Sequence, residues 1–401
     1  MRPSIFLLLL GFTIAFEIPG FGKQTISVVA EKTDYSEVPV TALIPNPGKI
    51  SGVIVLKTSK GELVPCQSEV VPEGLRITWI VRNLKKGEGR TYTVVQVDDR
   101  FAVPGKLVSL RDTEGSVAVL IGGSLFTSYI YTGAPKPYCY PIIGPSGGRI
   151  TRNYPMQVVP GETTDHPHHR SFWFTHGDVN GVDFWSEKPE AGKIVHRKFE
   201  ALESGPVFAK ICSLNDWVGP DGKKVCEDRR ELRFYNTSIG RLMDFEITIR
   251  ATEGPVKFGD TKEGTMGIRV ASSMDVDKGQ GHILNSRGER DGSAWGKQAE
   301  WCDYYGPVNG KTVGIAVFDH PSSFRHPTYW HVRTYGLFAA NPFGLRDFKN
   351  DKKLDGSHTI PAGGEITFRY RIFIHKGDPD SAGVAAAYSA YANPPKIEVG
   401  E

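Results

Sequence analysis

The sequence predicts an all-β protein: a small N-terminal β-sandwich, then a larger antiparallel sandwich, with one helix near the C-terminus. Three observations predict it. Short runs of β-branched and aromatic residues recur along the chain, several with the period-two alternation of a sheet wet on one side. Turn residues separate those runs: 45 Gly and 27 Pro in 401 residues, without a three-residue repeat that would suggest collagen. Convincing helical spacing occurs near the C-terminus alone.

At the N-terminus Arg2 precedes the apolar run from Ile5 to Phe16, followed by Pro19, Gly20 and Gly22. That order of charged, apolar and small residues reads as a secretory signal over 1–22, too short to span a bilayer comfortably. The expectation is a periplasmic or secreted protein whose mature chain has no membrane span. Residues 23–99 form the small sandwich, with strands at Ile26–Val29, Val53–Leu56, Arg76–Val81 and Tyr92–Val95 separated by turns such as Pro45-Asn46-Pro47-Gly48. Residues 100–401 form the large domain, with strands at Leu107–Leu110, Val117–Ile121, Leu125–Ile130, Leu242–Ile249 and Ile366–Phe373. In the fourth of these, Phe245, Ile247 and Ile249 share one face and Asp244, Glu246 and Thr248 the other. The helix is capped by Asp380 or Ser381, carries Val384, Ala387, Tyr388 and Tyr391 on one face, and stops at Asn393-Pro394-Pro395. It reads as a lid on a sheet edge.

Composition excludes some partners. A formal charge of +3 with no long basic run gives little pull toward nucleic acid or anionic lipid. The five cysteines lack CxxC spacing, which argues against a zinc ribbon. Folding the turn Gly219-Pro220-Asp221-Gly222 about its centre sets Cys226 opposite Asn215 rather than Cys212, so buried thiols are expected rather than a disulfide framework. The tripeptide Asp165-His166-Pro167 returns as Asp319-His320-Pro321, which suits either two equivalent sheet corners or coincidence.

Histidines carry most of the chemical information. His166, His168, His169 and His176 fall within one 14-residue segment, 165–178. Read as extended chain, it points His166 and His168 one way and His169 the other. Such imidazoles suit proton transfer near neutral pH, and equally a metal site built from His166, His168 and His176 with an open fourth position. A second constellation is the glycine-bounded Asp260-Thr261-Lys262-Glu263, a loop able to aim two carboxylates inward beside a cation. A third lies between His326 and Gly344, where strand phase puts His331, Arg333 and Tyr335 on one face and Trp330 on the other. Aromatic platforms next to Arg, Asn and His donors suit sugar rings. No nucleophile elbow, Walker loop, H-E-x-x-H or EF-hand loop is present, and Gly144-Pro145-Ser146-Gly147-Gly148 lacks the flanking strand and helix of a phosphate loop.

These motifs resemble a family of exported bacterial proteins labelled methane oxygenase PmoA-like. The matching segments are Lys136-Pro137-Tyr138 through Ile143-Gly144-Pro145, Asp165 to Arg170, His176 to Trp185, Asp260 to Gly264, Trp330 to Arg333 and Tyr335 to Gly344, with Ser171 where the family pattern carries Gly. The label is not read as an activity, because a membrane monooxygenase subunit has several spanning helices and this chain has one short apolar segment. The resemblance implies a β-supersandwich similar to the galactose-mutarotase fold, whose concave face binds carbohydrate. The expectation is thus a carbohydrate-active hydrolase, lyase or epimerase needing no cofactor. His168 and His176 would be its proton-transfer groups and Glu263 or Asp260 the carboxylate partner. Arg170, Lys262, His331, Arg333, Tyr335, Asn341 and Trp185 would bind the sugar. The alternatives are an enzyme holding a divalent metal on the three histidines and a non-catalytic sugar-binding protein.

Overall fold

The computed structural model describes residues 24–45, 47–48, 50, 52–98 and 107–400. The signal segment 1–22 and the expected boundary at 99/100 lie outside the described residues. The chain is all-β, and its paired strands run antiparallel.

The first sandwich stacks a five-stranded sheet, in the order Lys396–Gly400, Thr25–Val29, Gly89–Val97, Val53–Thr58 and Leu63–Val64, on a three-stranded sheet of Tyr35–Ile44, Gly74–Leu84 and Cys66–Val71. Alternate residues such as Ile26, Val28, Ile77, Trp79, Tyr92 and Val94 fill its core. The edge strand comes from the far end of the chain, with Thr25 opposite Gly400.

Two eight-stranded sheets make the larger sandwich. One carries, in order, Trp330–Val332, Leu337–Ala340, Gly264–Arg269, Phe172–His176, Tyr138–Cys139, Ser124–Ile130, Ser116–Ile121 and Val108–Thr113. The centre of the other is formed by Lys224–Tyr235, Arg241–Arg250, Glu365–Lys376 and Lys311–Asp319. Phe172, Phe174, Met266 and Ile268 of the first sheet meet Phe245, Ile247, Phe368 and Ile372 of the second in one core, with the Phe172 and Phe245 rings 5.3 Å apart. By strand parity Trp173 turns outward, where Trp185, Leu337 and Ala339 pack around it. That outer face carries the candidate site.

The strands expected from alternation are present, most of them one to three residues longer at their ends. The helix, Val384–Ala392, differs in its start and its place. Gly383 at φ +66° is its N-cap with no side-chain cap, and the Asp378 carboxylate receives the Ser381 N–H instead of Asp380 or Ser381 capping the helix. Rather than covering a sheet edge, the helix wedges between the two sandwiches: Ala390 joins the first core, while Val384 packs with Phe318 and Phe373 of the second sheet. Cys226 lies opposite Trp217, not Asn215, because the connecting loop is longer than a two-residue turn and ends in a bulge at Val218. All five cysteines are free and buried. The repeated tripeptides occupy unlike surroundings: Asp165 meets Arg152 and Arg269, whereas Asp319 receives the Thr328 N–H and pairs with His326. No helix among the described residues is long and apolar enough to cross a membrane.

Candidate active site

A cavity of about 490 Å³ opens on the outer face of the first large sheet. Three separate segments reach it. His166, His168 and His169 come from a turn, Lys262 and Glu263 from the loop before Gly264–Arg269, and His331, Arg333 and Tyr335 from the hairpin after Trp330. The stretch 183–188 closes a fourth side with Asp183, Trp185, Ser186 and Lys188.

The histidine segment is not extended. The His169 N–H donates to the His166 carbonyl at 3.0 Å and His166 has φ +44°, so the chain turns back on itself. All three rings therefore face one cavity: His166 stacks on His169 at 4.8 Å and on Tyr335 at 5.2 Å, and His168 stands edge-on to His169 at 4.5 Å. Asp165 anchors the turn, receiving hydrogen bonds from the buried guanidiniums of Arg152 and Arg269, the latter at 2.8 Å. His169 stacks on the Trp173 ring at 5.3 Å, and Gly267 is required against that ring, since a Cβ there would lie 2.6 Å from it.

Four expected site residues do not line the cavity. His176 shares the parity of Phe172 and Phe174, so it faces inward, fully buried against Phe258 and Phe343, with Nε2–H donating to the Gly259 carbonyl at 2.9 Å. A Cβ at Gly264 would fall 2.3 Å from its Nδ1, which explains the glycine opposite it. Asp260 spends its carboxylate on the N–H groups of Arg346 and Gly356. Asn341 donates to the Thr261 carbonyl at 2.8 Å and accepts the Phe343 N–H at 2.9 Å. These two residues brace the loop that presents Glu263. Arg170 forms a two-pronged pair with Glu187, each prong at 2.9 Å, and Lys136 Nζ reaches the same carboxylate at 2.6 Å. The sequence reading missed Asp183, whose carboxylate accepts the N–H groups of Trp185 and Ser186, and also the Lys136–Glu187 pair. An Asp two residues before its N–H partner is a legible Asx-turn signal; a partner 51 residues away is not.

Electrostatics keep His168, His169 and His331 neutral. Burial, reinforced by Lys136 and His166, lowers His168 to about 4. Burial with Arg333 and Lys262 lowers His331 to about 3, and burial with His168 and Arg269 holds His169 well below 6.5. Trp295 Nε1–H donates to His331 Nδ1 at 2.8 Å and Arg269 to His169 Nδ1 at 3.2 Å, so both rings carry their proton on Nε2. His168 has no hydrogen-bond partner among the described residues, which leaves its ring nitrogens for a ligand.

Burial likewise lowers His176 to about 4. An unfolded chain protonates these histidines below pH 6.5 while the folded one does not, so acid destabilises the fold from there down to the folded values. His331→Gln and His176→Gln are each expected to flatten the urea-unfolding stability curve between pH 6.5 and 5 by up to about 1.4 kcal/mol per pH unit. An unchanged slope would show that these rings are protonated in the native state.

The metal alternative does not fit. His176 lies on the opposite face of the sheet from His166 and His168, and among the described residues no group of three or more His, Cys, Asp or Glu side chains is placed to hold an ion.

The model of a family described as "Family of unknown function (DUF6807)" matches residues 116–389. No curated protein matches the chain. Among solved structures, the chain is similar to a protein in the Glycosyl Hydrolase Family 38 from Enterococcus faecalis, with 13% identity and a TM-score of 0.42; the match covers 94% of this chain and 47% of that one. It is also similar to a galactose mutarotase-like protein from Clostridium acetobutylicum, with 11% identity and a TM-score of 0.31, over 67% of this chain and 95% of that one. At these scores neither likeness bears on function.

Proposed function

The chain belongs to DUF6807, a family of unknown function, and we propose that it is an exported carbohydrate-active enzyme, a glycoside hydrolase, lyase or epimerase. The observation that carries this reading is the convergence of the 166–169 turn, the Lys262-Glu263 pair and the 331–335 hairpin on one open cavity with Trp185 in its wall. Sugars present apolar C–H faces and directional hydroxyls, and ring faces beside imidazole, guanidinium and carboxylate groups match both. His168 is the base: neutral at physiological pH, with ring nitrogens free to take a proton from the substrate. Glu263, on the loop braced by Asn341 and Asp260, is the carboxylate partner. His331 and His169 offer Nε2–H donors, and Arg333 and Tyr335 orient the ring.

A screen of mono- and oligosaccharides with purified protein, read by mass spectrometry for cleavage or elimination and by NMR for stereochemical exchange, is expected to identify at least one substrate turned over. Binding without turnover would make the protein a non-catalytic sugar binder. The absence of both binding and turnover across the panel would overturn the reading.

A further inference from the structure

The charges around the cavity carry the argument further, on the premise that the cavity is a sugar site. The chain matches the buried and half-buried cations near the cavity with carboxylates: Arg152 and Arg269 with Asp165, Lys136 and Arg170 with Glu187. Arg333 is the exception in the cavity wall. Half-buried, its guanidinium lies over the rings of Trp295 at 5.5 Å and Tyr335 at 5.6 Å, and it has no carboxylate or hydrogen-bond partner among the described residues. Lys262 has one loose partner, Glu263 at 3.5 Å. Lys188 is exposed on the same rim, with no ion pair among the described residues. Of the lining carboxylates, Asp183 accepts from the Trp185 and Ser186 N–H groups and the Ser186 hydroxyl, so its oxygens are engaged there and it forms no ion pair with Arg333 among the described residues. Arg333 and Lys262 line the cavity together with His331.

A guanidinium held between two aromatic rings is oriented in advance and costs little further entropy to pair. A neutral sugar's hydroxyl oxygens could accept hydrogen bonds from it but would leave its charge unmatched. We infer that the cavity takes a sugar bearing an anionic substituent, with Arg333 as the residue that pairs with that substituent and Lys262 adding to the field. The shared chemistry is an oxyanion on the sugar, whether carboxylate, phosphate or sulfate.

The test is calorimetric binding of matched sugars that differ at one position, in the gluco, galacto and manno series: neutral aldose, uronate, 6-phosphate and 6-sulfate. At least one acidic form is expected to bind about tenfold or more tighter than its neutral partner, with the ratio shrinking as salt rises. In Arg333→Gln the ratio should fall toward one, and Arg333→Lys should restore part of it. Lys60→Gln, an exposed cation of the first sandwich, should leave it unchanged. Which acidic form wins identifies the oxyanion. Equal binding of neutral and acidic sugars by the wild-type protein would overturn this inference and leave the sugar site standing. Binding of acetate, phosphate or sulfate as tight as the acidic sugars, or binding of no sugar, would overturn the sugar reading and the inference with it.

Discussion

His168→Gln is expected to lower kcat on the glycan identified by screening by about 10²- to 10⁴-fold, the usual contribution of a positioned acid or base. The ring is held by contacts with its neighbours rather than by hydrogen bonds, edge-on to His169 at 4.5 Å and to Trp185 at 6.3 Å. Removing it therefore strands no hydrogen-bond partner, and the thermal midpoint should hardly move. The pH profile supplies a second readout. With His168 lowered to about 4, the wild-type acid limb should rise through that region and be flat by neutral pH. The variant should lose that limb. Wild-type kcat in His168→Gln would remove this residue from the chemistry, whatever the substrate.

Glu187→Gln is expected to cost about 3–5 kcal/mol of stability by urea unfolding, because removing one partner of a buried ion cluster leaves uncompensated charge. The Lys136 side chain is 1% exposed and Arg170 19%, and both depend on this carboxylate. Burial lowers Lys136 to about 8 even with Glu187 beside it. Burial raises Glu187, but Lys136 and Arg170 outweigh it and hold the carboxyl below its ordinary 4.5. Its stabilisation is thus complete above pH 4.5 and is lost as pH falls through the lower folded value. The double change Lys136→Met with Glu187→Leu should recover much of the loss, since apolar replacements of buried pairs are often neutral. A loss under about 1 kcal/mol in Glu187→Gln would mean that water reaches the cluster.

Both predictions concern groups that differ in how far the sequence reveals them. His168 sits in a conspicuous histidine run, and its candidacy needed no structure. Its neighbours needed one. The extended reading of 166–169 separated His169 from the other two, but a turn closed by the His169 N–H and His166 carbonyl brings all three rings together. His176 was legible in principle: counting by two from Phe172 and Phe174 assigns it to the core face. Its proximity in sequence to the other histidines outweighed that parity. Asp260 and Asn341 have the residue types of a site, yet backbone N–H and C=O groups of neighbouring loops occupy them. Glu187 had no local signal, because its partner Lys136 lies 51 residues away in the sequence.

The sequence by itself determined that the chain is all-β, where most of its strands run, that a short helix lies near its C-terminus, and which three segments carry unusual chemistry. Those properties are local, since alternation, turn residues and motif composition act within a few positions along the chain. Only the tertiary structure decided which side chains meet. Strand Phe172–His176 pairs with Gly264–Arg269, which pairs in turn with Leu337–Ala340, and these long-range registers bring His168, Glu263 and Arg333 to one cavity. They also turn His176 away from it, because a residue's face in a sheet depends on its parity and on which of the two faces the second sheet covers.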